Sequence, residues 1–586
     1  MWMRAEERRR KTQQQQPGGW KAIAYILGNE TFERLGAYGL FANFVVYLTR
    51  EFHLDPVSAT TIISIWFGLS HFGPLIGAFI SDAYAGRFYT IAFGSFFSLL
   101  GMLLVTLTAW LPELHPPPCT PQQEALNQCV NPTKTHIGVL IMGLLLLSIG
   151  SSGVRPCSIP FGVDQFDAGT EEGRKGINSY FNWYYTSFSI VLLINQTVIV
   201  YVQDSISWKI GFGIPTVCMF FSIFMFFVGT RIYVYVKPEG SIFSDVAQVL
   251  VAAYRKRKVE LPSEKEKMHG AFYDPPLEKT SVSSKVPLTY TFRVLNKAAL
   301  IMEDELNPDG SRRNKWRLAS IKQVEEVKCL ARTFPIWVTG ILCFIPITQQ
   351  SSFTVLQASI MDRHLGPKFQ IPAGSIQVMS FLTICFFVPL YDRFLVPAIR
   401  KMTHIGGGIT LLQRIGIGMF FSVLSMVVSG LVETTRRSSA NSNQNMSVFW
   451  LTPQFTLLGL CEAMSIIGLI EFFNKQFPEH MKSIANSVAF CSLGLASYLN
   501  SLLVTIVSYG TRHRTDWLGK DLNVGRLDFF YYLVAVIGGL NLVLFIWVAS
   551  RYEYKERLKV YNDDDVGVDV DAGFDLELHG RFEVSA

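Results

Sequence analysis

Apolar runs of roughly 20 residues recur along the whole chain between short polar breaks, and very few folds accept that pattern. A helix of that length crosses the hydrocarbon core of a bilayer, and a helix satisfies every backbone N–H and C=O within itself, as lipid demands. The spacing predicts helices over about 20–49, 57–81, 89–111, 136–157, 178–201, 208–233, 334–357, 373–395, 410–433, 447–473, 482–508 and 527–550. Composition agrees: of 586 residues 49% are hydrophobic and only 17% charged, too apolar for an ordinary soluble chain. The net charge of +6 does not indicate nucleic acid, because Lys and Arg collect in the breaks, where they mark cytoplasmic loops.

The first 19 residues are polar and carry Arg8-Arg9-Arg10-Lys11, with no apolar stretch ending in a small-residue cleavage site. A cytosolic N-terminus then fixes the side of every later loop. The expected division is a cytoplasmic tail 1–19, a six-helix bundle 20–233, a cytoplasmic central loop 234–333, a second bundle 334–550 and a cytoplasmic acidic tail 551–586. Six helices on each side of a central loop form the layout of the major facilitator fold, an all-α membrane protein with its substrate site between the halves. Within the loop, Phe243, Val246, Val249, Leu250 and Tyr254 fall at helical spacing before Arg255-Lys256-Arg257-Lys258. That helix is expected either on the membrane surface or against the cytoplasmic face of the bundle. Leu261 to Pro287 reads as a flexible linker.

Ionisable groups inside apolar spans carry the functional information, since each costs roughly 2.5–3.5 kcal/mol at a helix centre. The first helix holds Glu30, Glu33 and Arg34, which spacing of three and four residues places on one face. Two acids and a base in a small volume can titrate; the bland alternative is an ion cluster that locks helices together. Arg155 lies in the fourth helix, and Glu462 in the tenth at a depth suited to a central cavity, whereas Glu471 falls toward the cytoplasmic rim. His71 reads as a packed or hydrogen-bonded histidine rather than a proton carrier. Gln349 and Gln350 offer hydrogen bonds to a solute, with helix packing as their alternative use.

The nine cysteines show no metal-ligand spacing, and no cofactor is expected. Cys119 and Cys129 share a Pro-rich loop on the outside and are candidates for a disulfide. Asn29 and Asn195 match glycosylation sequons but lie inside predicted helices. No Ser-His-Asp, paired-His or phosphate-loop constellation points to an enzyme, and no ring of like charges points to a channel.

The segment Gly77-Ala-Phe-Ile-Ser-Asp82-Ala-Tyr-Ala-Gly86-Arg87 resembles the major facilitator signature. The sharper motif Phe161-Gly-Val-Asp164-Gln165-Phe166-Asp167, taken with Glu30-x-x-Glu33-Arg34, identifies the chain as similar to the proton-dependent oligopeptide transporter family, in its plant nitrate/peptide transporter branch. Gln323-Val-Glu-Glu-Val-Lys328, Leu412-Gln-Arg414-Ile-Gly416 and Asp521-Leu-Asn-x-Gly525-Arg-Leu-Asp528 extend the resemblance along the chain. Gly153-Val-Arg155-Pro156-Cys157-Ser resembles the subfamily holding low-affinity nitrate carriers and glucosinolate carriers.

The resemblance implies proton-coupled symport by alternating access. Glu30, Glu33 and Arg34 would handle protons, Arg155 would be their salt-bridge partner, and Arg34, Arg155, Gln349, Gln350 and Glu462 would meet the substrate. The chain departs from the family in two places. The usual helix-four Lys is Arg155, which stays charged and acts only as a fixed partner. The helix-seven His of the branch's dual-affinity nitrate carrier is replaced by Ile347. Thr90 aligns with a regulatory phosphorylation site of that carrier, a candidate for a kinase. The expected partners are protons, a small anion and the lipid bilayer, with the plasma membrane preferred over the vacuolar membrane. Larger organic anions, peptides, and a nutrient sensor signalling through the loop and the tail at Asp563-Asp564-Asp565 remain as rivals.

Overall fold

The computed structural model describes residues 18–552 and 554, except 120–122, 124–128, 168–169, 237–241, 262–270, 276–287, 290, 368, 404–407, 443, 478–481, 513–515 and 520. Most of both tails, the Asp563-Asp564-Asp565 run and most of the expected linker therefore lie outside the described residues.

Among the described residues, eleven helices are long and apolar enough to cross a membrane: α2 (Pro56–Ala85), α3 (Arg87–Trp110), α4 (Lys134–Val163), α5 (Glu171–Ile206), α6 (Trp208–Arg231), α7 (Ile321–Ser359), α8 (Ala373–Thr403), α9 (Leu411–Asn441), α10 (Val448–Gln476), α11 (Ser487–Thr511) and α12 (Leu527–Ser550). They are preceded by α1, built of Gly19–Phe41 and Phe44–Arg50, which misses that apolar standard because Glu30, Glu33 and Arg34 sit in its middle. It breaks at Asn43, a fully buried residue whose side-chain amide finds no partner.

Helix starts follow local chemistry. Asp55 caps α2 by accepting from Ser58 N at 3.0 Å, with Pro56 in the first turn. Thr133 with His136, and Thr410 with Gln413, form capping boxes at α4 and α9. Small residues then let backbones approach: a Cβ on Gly77 of α2 would fall 1.8 Å from Ser152 O, and one on Gly150 would fall 2.2 Å from Ser98 Oγ of α3. This packing of α2, α3 and α4 sets the wall from which Arg155 projects.

The chain divides into two compact units, one holding the membrane helices and one built mainly from residues 244–331. In the second unit the helix Ile242–Arg255 buries Val249, Ala252 and Ala253 against Leu288, Ala298, Ala299, Ala319 and Val324. The amphipathic helix therefore buries much of its apolar face in the core of this unit. Leu250 and Tyr254, on the same sequence pattern, stay exposed. Two lysines are taken inside and paired: Lys256 donates to Glu305 and to Leu300 O, each at 2.6 Å, and Lys328 donates to Glu325 at 2.6 Å and Thr289 O at 2.8 Å.

Candidate functional site

The sharp motif at the end of α4 ties one end of the first bundle together, the end expected on the cytoplasmic side. Arg87 at the start of α3 pairs with Asp164. Gln165, fully buried, donates to Phe161 O and Val234 O and accepts from Val234 N at 2.8 Å, while its carbonyl accepts from Gly19 N at 2.9 Å. The motif thus joins α1, α4 and the end of α6. Thr90, three residues beyond Arg87, is buried, its hydroxyl donating to Gly86 O at 2.9 Å. A Cβ on Gly153 would fall 2.7 Å from Thr90 O, so α4 covers this turn and a kinase has no access to it in this conformation.

In α1 the four-residue spacing closes an ion pair, Arg34 Nε to Glu30 Oε1 at 2.6 Å. Tyr184 of α5 donates to the same carboxylate at 3.1 Å and accepts from Arg34 Nη2. The guanidinium lies 4.4 Å from the Tyr184 ring centroid and 4.6 Å from that of Phe188. Arg34 is thus fully engaged. Glu33 differs: it is 1% exposed and neither oxygen has a hydrogen-bond partner.

Arg155 donates weakly to Ser70 O at 3.4 Å, lies 5.3 Å from the Tyr38 ring centroid, and has no carboxylate partner among the described residues. The salt bridge expected between Arg155 and the α1 acids is therefore not formed in this conformation. The reason is geometric, since Glu30 finds Arg34 on its own helix while Arg155 faces a cavity. That cavity, of about 20 Å³, is bounded by Tyr38, Phe41, Trp66, Phe67, His71 and Arg155, and a space of that size holds roughly one water-sized occupant. His71 Nδ1 donates to Phe67 O at 2.9 Å and its ring lies against the Phe67 ring, as a packed histidine does. Trp66, with its indole N–H buried and unpartnered, and Tyr38 escaped the sequence reading, because aromatics in a span look alike until the cavity is seen.

The residues expected from the second bundle are less uniform. Glu462 is half-buried and makes no hydrogen bond among the described residues, but it does not line the cavity beside Arg155. Gln349 donates to Asn500 of α11, which donates to Ser64 of α2 at 3.2 Å, so it ends a polar chain crossing between bundles. Gln350 donates to Ser429 at 3.0 Å and accepts from Gln454 at 3.1 Å, so its amide is engaged inside the second bundle, the packing use that the sequence offered as its alternative. Cys119 and Cys129 are joined by a disulfide.

The outer ends of the bundles meet at Asp204, at the end of α5, which holds Arg50 of α1 at 3.2 Å and Arg363, between α7 and α8, at 2.9 Å. Tyr201 stacks on Phe369 beside it, and a Cβ on Gly374 would fall 2.7 Å from Ala42 O. Sequence reading missed this clasp, because a single Asp just before a helix start reads as a cap.

Two helical bundles joined at their outer ends, with charges buried beside a small internal cavity, define a multi-pass membrane carrier of the major facilitator fold. The chain belongs to the POT family, whose family model matches residues 88–518, and within it to the plant NRT1/PTR family. It is 55% identical over 568 residues to Protein NRT1/PTR FAMILY 2.13 of Arabidopsis thaliana, covering 95% of this chain and 91% of the relative. It is 52% identical to Protein NRT1/PTR FAMILY 2.12 of the same plant, covering 96% and 98%. Among solved structures, an auto-inhibited POT family peptide transporter superposes with a TM-score of 0.67 at 19% identity, over 92% of this chain and 99% of that one, which shows the fold alone. The transporter PepTSo gives 0.66 at 18% identity, over 91% and 98%.

Proposed function

We propose that the chain is a proton-coupled symporter of a small anion, nitrate first, working by alternating access in the plasma membrane. The observation that carries this reading is the division of labour around α1. Arg34 is neutralised by Glu30, Glu33 is buried with both oxygens unsatisfied, and Arg155 presents an unpaired guanidinium to an aromatic-walled cavity. A guanidinium and flat aromatic faces suit a small planar oxyanion. Glu33 takes up the proton; Glu462 supplies a second acid from the opposite bundle. Carrying one anion inward against the membrane potential costs about 2.3 kcal/mol per 100 mV, so roughly two protons per nitrate make uptake electrically favourable. The resemblance to low-affinity nitrate carriers supports the substrate.

The test is electrical. Oocytes expressing the chain are clamped at mildly acidic pH with nitrate or chloride outside, alongside Glu33→Gln. An inward current that needs nitrate and acid, and is lost in the variant, is the expected result. Silence in nitrate, with protein at the surface, sinks nitrate as the substrate; current independent of pH sinks proton coupling.

A further inference from the structure

Helix α10 abandons regular α-helical hydrogen bonding over Glu462–Ile466, where it makes a π-turn. Such a turn carries one extra residue and leaves a carbonyl without its regular partner, and it is common at functional sites. A side chain from α9 satisfies one carbonyl of this turn, and a side chain of the turn itself bonds back to α9. Arg414 Nη2 donates to Ala463 O at 3.2 Å, and Ser465 Oγ donates to Ile415 O at 3.2 Å. Gly418 makes room, since a Cβ there would fall 2.1 Å from Ser465 Oγ. The other arm of Arg414, a buried side chain, donates to Glu471 at 2.9 Å, further along α10, and its guanidinium lies 4.9 Å from the Tyr391 ring centroid. One guanidinium therefore grips both the π-turn and the helix that follows it.

Glu462 is the first residue of that turn. Losing the extra residue would rotate Glu462 by about 100° relative to the part of α10 that Arg414 anchors. We propose that Arg414 is a positioning residue for Glu462, holding open the π-turn that aims this carboxylate. For transport, the proposal rests on the reading of Glu462 as a working acid given above. Among the described residues, the charged and titratable groups tied to the turn are Arg414 of α9, which also holds Glu471 of α10 and lies over the Tyr391 ring of α8, the thiol of Cys343 on α7, which donates to Ser465 at 3.7 Å, and Cys461 beside Glu462.

The experiment reads Glu462 directly. Purified full-length protein is treated across a pH series with a hydrophobic carbodiimide, which modifies carboxyl groups that carry a proton, and modification of Glu462 and Glu33 is followed by mass spectrometry. Arg414→Gln is expected to change the rate at Glu462 about tenfold, equivalent to about 1.4 kcal/mol, and to shift its pH profile while leaving Glu33 as it was. Arg414→Lys is expected to recover part of the profile. An unaltered Glu462, or a parallel change at Glu33 that signals general loosening, overturns the proposal. If Arg414→Gln does not yield folded protein, Glu471→Gln releases one arm of the grip and is judged by the same criteria. Nitrate uptake by Glu462→Gln is measured separately: normal uptake there removes the transport reading of Glu462 and leaves the labelling result to decide what Arg414 does.

Discussion

Asp204 and Arg363 form an ion pair of 2.9 Å that joins the first bundle to the second at their outer ends. Both are mostly buried, and the same carboxylate also holds Arg50. On the alternating-access reading proposed above, with the N-terminus in the cytosol, such a contact stabilises the state closed to the outside and must break in the other.

Asp204→Asn is therefore expected to shift the balance toward the outward-open state. A loss of about 1–3 kcal/mol for one buried charged hydrogen bond corresponds to roughly a five- to hundredfold change in that balance. Labelling by a membrane-impermeant thiol reagent of a cysteine introduced by Tyr38→Cys should rise in the Asp204→Asn background. Equal labelling in both backgrounds would show that the clasp does not hold the outer side shut.

Glu30 and Glu33 lie three residues apart but should fail differently. Glu30→Gln weakens the pair with Arg34 and is expected to destabilise the protein by about 2–4 kcal/mol, because a buried guanidinium is left short of charge. Glu33→Gln removes an acid that makes no hydrogen bond, so its thermal midpoint in detergent should stay close to wild type while acid-dependent uptake disappears. Equal losses of stability in the two variants would contradict the geometry of α1.

Gln350→Ala should lower thermal stability by about 1–3 kcal/mol, through the unpaired Gln454 and Ser429 it leaves behind. Because its amide faces the bundle interior, the half-saturating anion concentration of the surviving protein should not change. A rise in that concentration with unchanged stability would return Gln350 to the solute path.

Lys256→Ala strands Glu305 inside the central unit and is expected to cost that unit about 3–5 kcal/mol. Burial pushes the Lys256 ammonium below its ordinary pKa, against the opposing pull of Glu305. The unfolded chain then holds this proton more tightly than the folded one, so the contribution of Lys256 to stability should improve as pH rises through the folded value toward the unfolded one. Limited proteolysis of the segment 244–331 reads both effects: cleavage should be faster in Lys256→Ala and, in wild type, should slow as pH rises toward the ordinary lysine pKa of about 10.4.

The sequence by itself determined the class of the molecule and the place of its charges. Apolar runs matched to a bilayer leave no other fold, and a charge inside such a run is costly enough that Glu30, Glu33, Arg34, Arg155 and Glu462 stand out unaided. Spacing along one helix also fixed the Glu30 and Arg34 pair, because residues four apart share a face.

Partners across helices were decided only by the tertiary structure. Gln349 and Gln350 are neighbours in sequence, yet one reaches Asn500 in a chain between bundles and the other is locked among Ser429 and Gln454. About 100° of helical rotation separates them, and which neighbour fills each direction depends on how α7, α9, α10 and α11 pack. The same holds for Arg155, which meets aromatic rings and Ser70 where the sequence led to an acid, and for Asp204, whose two arginines come from the first helix and from the segment between α7 and α8. Local chemistry names the groups that cannot face lipid; the packing of twelve helices chooses what each of them faces instead.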